Sequence, residues 1–183
     1  EVKYEKNSFN VLFTGNIGEA QDFPTIIDAA EKLKDENIRW LIVGDGRMKE
    51  WLNDEIMKRS LEKKVILFGE FPIERMTSFY NHSQALLVSL KKDYFLSLVI
   101  PGKVQSYLMS GLPILGMVNG EAKDVIDKSG SGYTCEPANS TDLAIIVKKM
   151  SIASESHRCI MGAKGIDYAN KEFDRNTLLR KLE

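Results

Sequence analysis

The chain has 183 residues, 43% of them hydrophobic and 28% charged, with 25 basic and 26 acidic side chains giving a formal net charge of -1. That length suits one domain with a single core, and the charge balance excludes the basic excess that nucleic-acid backbones demand. No apolar run approaches the roughly 18 residues that span a bilayer and no signal-peptide pattern opens the chain, while Cys135 and Cys159 lack the number and spacing of a disulfide framework or a metal site.

Residues 1–9 read as a polar lead-in without an initiator Met, which suggests a fragment. A reducing cytoplasm is the expected compartment. The first short apolar run, Asn10–Thr14, predicts a buried strand. Behind it lies Gly15-Asn16-Ile17-Gly18-Glu19-Ala20-Gln21, whose two glycines let the backbone approach a ligand closely. An ordinary glycine-bearing turn explains the same residues. Phe23–Lys34 predicts a helix, with Asp22 as N-cap, Pro24 in the first turn and an apolar stripe of Ile26, Ile27, Ala30 and Leu33.

The second strand is predicted at Arg39–Val43. Gly44-Asp45-Gly46 after it lacks the third glycine of a dinucleotide fingerprint and follows the wrong strand, so it reads as a tight turn and not as an NAD site. Met48–Arg59 predicts a helix burying Met48, Leu52 and Ile56, and Val65–Phe68 a third strand. Gly69-Glu70-Phe71-Pro72 then forms either one wall of a base pocket or a proline-initiated start to a helix over Ile73–Ser83.

The fourth strand, Ala85–Ser89, leads into a long loop from Leu90 through Lys91 to Ile100. A short helix over Val104–Ser110 follows, its first turn near Pro101, with Gly111 as C-cap. No Ser, Thr, Asp or Asn immediately precedes that start, and Lys103 sits where the helix dipole disfavours a cation. An anion held there fits these features; so does a solvated helix end. A fifth strand at Pro113–Met117 precedes Asn119-Gly120-Glu121, where Glu121 either meets sugar hydroxyls or stabilises the dipole of a helix over Ala122–Ser129. A sixth strand at Gly132–Cys135, helices at Thr141–Met150 and Ser156–Tyr168, and a tail helix at Asn176–Lys181 complete the pattern. Leu182-Glu183 reads as a tag remnant outside a domain of residues 10–181. His82 and His157 read as structural or solvated.

Strict alternation of strands and helices predicts an α/β fold: a Rossmann-like open parallel sheet of six strands, the first central, with helices on both faces. Ligands of such sheets bind outside the carboxyl ends of the strands at the switch point.

From about Asn10 to Leu179 the chain resembles the C-terminal domain of retaining GT-B glycosyltransferases, group 1 or family 4 type. It looks most like the bacterial transferases of O-antigen and capsule assembly. The segments that carry this are Phe13–Gln21, Leu41–Gly46 and Ile100-Pro101-Gly102-Lys103-Val104-Gln105-Ser106-Tyr107-Leu108 with Ser110–Ile114.

The resemblance implies half of a GT-B fold that binds a nucleoside-diphosphate sugar as donor substrate, without a metal or resident cofactor. It implies an acceptor glycan bound by an N-terminal domain, through which any membrane contact would run. The expected reaction is hexosyl or N-acetylhexosaminyl transfer, with retention, to a growing, lipid-linked surface polysaccharide, by a protein that is cytoplasmic or peripheral at the inner membrane face. The isolated fragment is expected to be inactive, so no catalytic residue is assigned. The donor-binding residues implied are Gly15, Asn16, Gly18, Glu19, Gln21, Phe71, Lys91, Pro101, Gly102, Lys103, Gln105, Ser106, Gly120 and Glu121. Two departures stand out: the first loop has Ala20-Gln21-Asp22 where many relatives carry basic residues, and Leu98 and Ser106 stand where relatives pair two glutamates. A nucleotide-sugar 2-epimerase and a non-catalytic nucleotide-binding module are the alternatives.

Overall fold

A computed structural model describes residues 8–173. Six strands, β1 (Phe9–Thr14), β2 (Ile38–Val43), β3 (Val65–Gly69), β4 (Ala85–Ser89), β5 (Ile114–Met117) and β6 (Gly132–Cys135), form one sheet in the order β3-β2-β1-β4-β5-β6. Every pairing is parallel. The expected Rossmann-like sheet with an interior first strand is therefore what forms, and its order reverses between β1 and β4.

The strands are apolar on both sides because both faces are covered. Phe13, Trp40, Ile42 and Leu87 pack with α1 (Phe23–Lys32), α2 (Lys49–Lys58) and α7 (Ser140–Ile152). Leu12, Leu41, Leu86 and Val88 pack on the other face with α3 (Met76–Tyr80), α5 (Gly102–Leu108), α6 (Gly120–Ser129) and α8 (Glu155–Glu172). No described helix is long and apolar enough to cross a membrane.

Several local expectations need correction. Proline has no N–H for the ladder, so β5 begins at Ile114 and Pro113 only accepts, from the Leu86 amide. The helix expected over Ile73–Ser83 is a 3-10 turn, Ile73–Arg75, running into the five-residue α3. His82 Nδ1 and Ser83 Oγ lie 2.7 Å from the carbonyls of Ser78 and Phe79, so side chains engage oxygens that a longer helix would use. Asp22 occupies the N-cap position of α1 with φ 52°, but its carboxylate accepts from the Thr25 hydroxyl (2.7 Å) and caps no amide. Gly111, at φ 76°, lies two residues beyond the C-cap of α5, which is Met109.

One α-helix was not foreseen: α4 (Tyr94–Ser97) interrupts the long fourth loop, with Asp93 accepting from the amides of Phe95 and Leu96; a 3-10 turn at Glu19–Gln21 in the first loop was not foreseen either. The tail helix and tag remnant lie outside the described residues.

Candidate functional site

The site is built from the ends of β1, β2 and β3 and the start of α5. The pairing of β1 with β2 runs to Thr14↔Val43, whereas its pairing with β4 extends only to Leu12↔Leu86. The two central strands thus stop pairing short of their carboxyl ends, where the sheet order reverses. Tyr107 of α5 fills the gap: its hydroxyl accepts from the Thr14 amide (2.9 Å) and lies 3.0 Å from Thr14 Oγ1. The ring is fully buried, and burial, ahead of any neighbour, raises the phenol well above its ordinary range.

Lys103 stands one turn before Tyr107 on the same helix face. Its Nζ sits 3.9 Å from the Phe13 ring centroid, and a Cβ built on Gly15 would lie 3.5 Å from it. The ammonium is buried and has no hydrogen-bond partner. Ser89 Oγ, at the end of β4, is likewise buried and unpartnered. Burial lowers the Lys103 pKa from 10.5 to about 8. A buried polar group without a partner is rare in folded proteins and calls for a physical account. Cation–π attraction to Phe13 supplies part of it.

Loops one and two are clamped together. Gly15 N–H donates to Val43 O, Ile17 N–H to Asp45 O and Met48 N–H to Ile17 O, at 2.7–3.0 Å. Gly44, at φ 145°, abuts Gly15 so closely that an added Cβ would fall 1.8 Å from the Gly15 carbonyl oxygen. Gly44 and Gly46 therefore do more than make a tight turn: they let the second loop support the first.

A cleft of about 380 Å³ opens beside this junction, lined by residues of the first three loops that include Gly15, Asn16, Asp45, Glu70, Phe71 and Met76. Of the residues expected to bind the donor, Gly15, Asn16 and Phe71 line this cleft, and Lys103 borders it through Gly15. Gly18 is buried, and its amide donates to Gln21 Oε1 (3.2 Å), so these two shape the loop itself. Glu19, Lys91, Gln105 and Ser106 are exposed and do not line the cleft; Lys91 is tied back by its amide to Ala20 O. Pro101 and Gly102 begin α5, which indeed has no side-chain cap. Seven residues make a small dipole, so the Lys103 ammonium is the main positive element there. Gly120, at φ 59°, presses on Ser97 O, where a Cβ would approach to 2.0 Å; Glu121 is exposed beside it.

The expected donor-binding residues left out Thr14, Val43, Gly44, Asp45, Ile73 and Met76, which complete the lining together with Glu70 of the Gly69–Pro72 stretch that the sequence offered as one wall of a base pocket. Their place just after β1, β2 and β3 was the available signal. Cys135 is a core thiol, raised to about 12 by burial first and by the nearby Asp142 and Glu136 charges.

Residues 2–165 match the family model of glycosyl transferases group 1, and the chain belongs to that family. A probable glycosyltransferase of Pseudomonas aeruginosa, WbjE, is 27% identical over 143 residues, covering 75% of this chain and 34% of that protein. WcaI of Escherichia coli, a putative colanic acid biosynthesis glycosyl transferase, is 24% identical over 180 residues, covering 94% and 41%. The chain therefore spans less than half of each of these relatives. Among solved GT-B structures, HepE of Anabaena in complex with UDP superimposes with a TM-score of 0.80 at 18% identity, over 96% of this chain and 48% of that one. The C-terminal domain of LpcC, a group 1 glycosyl transferase of Francisella tularensis, gives 0.73 at 17%, over 91% and 87%.

Proposed function

We propose that this member of the group 1 glycosyl transferases is the donor-binding half of an enzyme that moves a sugar from a nucleoside diphosphate, with retention, to a growing, lipid-linked surface polysaccharide. The observation that carries the reading is the buried, unpartnered ammonium of Lys103 beside Gly15 at the switch point. A diphosphate on Gly15 and Asn16 would give that cation its partner, with the nucleoside lying in the cleft toward Phe71. The UDP bound by HepE, which shares the fold, supports the ligand class. The colanic acid role named for WcaI supports the polysaccharide product.

In the reaction the acceptor oxygen bonds to the sugar's anomeric carbon, the bond from that carbon to the diphosphate oxygen breaks, and the hydroxyl proton passes to the leaving diphosphate. Negative charge then grows on the leaving phosphate oxygen. A pre-placed ammonium, itself buried, favours that transition state over the intact donor. The acceptor belongs to a domain that this chain does not contain, and the whole enzyme works at the cytoplasmic face of the membrane. No metal and no resident cofactor enters this scheme.

Calorimetry with UDP and uridine tests the site. Lys103→Ala should weaken UDP by about 1.5–3 kcal/mol, the range for a hydrogen bond to a charged group, and leave uridine nearly unchanged. Equal UDP affinity in both proteins removes Lys103 from the site. An equal loss for both ligands points to collapse of the pocket.

A further inference from the structure

A nucleoside diphosphate has two ends, and a protein gains from holding both only when its two walls stand at the ligand's own spacing. Here the walls belong to two short helices. Met76, the first residue of α3, lines the cleft, and Phe79 of the same helix packs edge-on against Phe71, another lining residue, at 5.0 Å between ring centroids. Lys103 lies in the first turn of α5, beside Gly15. Helices of five and seven residues have little stability of their own, so tertiary contacts set where each one stands.

One of those contacts is shared. Tyr80 ends α3 one turn after Met76, and Tyr107 follows Lys103 by one turn on α5. Both phenol hydroxyls meet at Thr14, the last residue of β1. That of Tyr107 lies 3.0 Å from Thr14 Oγ1 and accepts from the Thr14 amide, and that of the half-buried Tyr80 bonds the same side chain. A threonine hydroxyl has one proton and two lone pairs, enough for both tyrosines at once. Thr14 itself lines the cleft, whereas Tyr80 does not. The ladder between β1 and β4 has ended at Leu12, so this hydroxyl junction is what ties β1 to the two helices at the level of the site.

Resting on the donor-site reading, we infer that Tyr80 is a positioning residue: through Thr14 and Tyr107 it sets the spacing between the nucleoside wall on α3 and the phosphate wall on α5. A ligand that engages one wall alone does not sense this spacing. A ligand that engages both does.

Tyr80→Phe removes one oxygen and keeps the ring. Calorimetry on the 183-residue chain should show UDP weakened about five-fold, the equivalent of one net hydrogen bond, with uridine unchanged although Tyr80 belongs to the nucleoside wall. Thr14→Val, of similar shape without the hydroxyl, should weaken UDP at least as much, and Tyr80→Phe added to it should cost nothing more. Tyr107→Phe takes the place of Thr14→Val in this cycle if the latter does not fold. Unchanged UDP affinity in Tyr80→Phe, an equal fall for uridine and UDP, or losses that add in the double mutant overturns the inference, while UDP binding by the parent keeps the donor site standing. No binding of UDP by the parent chain overturns the donor-site reading and this inference with it.

Discussion

Replacing Lys103 by Met keeps a flexible stem of similar length and removes the charge. In the ligand-free protein the ammonium is buried and unpartnered, and its pKa falls from 10.5 to about 8. The unfolded chain then binds more protons than the folded one between those two values. Stability should therefore rise as pH climbs from about 8 to about 10.5, and the penalty is fully present below about pH 8. A depression of that size corresponds to about 3 kcal/mol. Lys103→Met should gain that amount at pH 7 and lose the gain by about pH 10.5. Other titrating groups cancel in the difference between the two proteins. Urea unfolding of both at pH 7, 8, 9 and 10 measures the difference directly. A mutant less stable at pH 7, or a difference that does not change with pH, would refute the reasoning.

Other perturbations separate the parts of the site. Tyr107→Phe removes the acceptor of the half-buried Thr14 amide and should cost about 1–3 kcal/mol in chemical denaturation, with a parallel loss of UDP affinity as α5 and Lys103 shift. Gly44→Ala drives a methyl into the Gly15 carbonyl at a φ of 145° and should cost about 2–4 kcal/mol; a thermal melt within a degree of the parent would contradict the close-packed loops. The purified chain should bind UDP yet transfer no sugar, because transfer needs donor and acceptor held together and the chain spans under half of its curated relatives. Product analysis that finds glycosylated acceptor would overturn this.

The sheet was legible because each strand is a short apolar run bounded by turn residues, and all six fall within one residue of their expected starts. Helix α4 was missed although Asp93 before an apolar stretch is a start signal; a four-residue helix has too little periodicity to read. Gly44 read as a turn glycine because its contact, the Gly15 carbonyl, lies on another loop. The Tyr107–Thr14 bond joins residues 93 apart, and local pattern cannot announce it. Lys103 drew notice in the sequence for its clash with a helix dipole. The structure gives a stronger reason: a short helix has little dipole to oppose, while burial beside Phe13 and Gly15 strips the ammonium of water and partner alike.

The account turns on whether that ammonium awaits the donor's phosphates. Nuclear magnetic resonance titration of the Lys103 side chain, assigned by comparison with Lys103→Met, measures its pKa with and without saturating UDP. A value near 8 in the free chain, raised to the ordinary lysine value of 10.5 or above when UDP is bound, is the predicted result. A pKa that UDP leaves unmoved would contradict the claim that Lys103 is the counter-charge of the donor diphosphate.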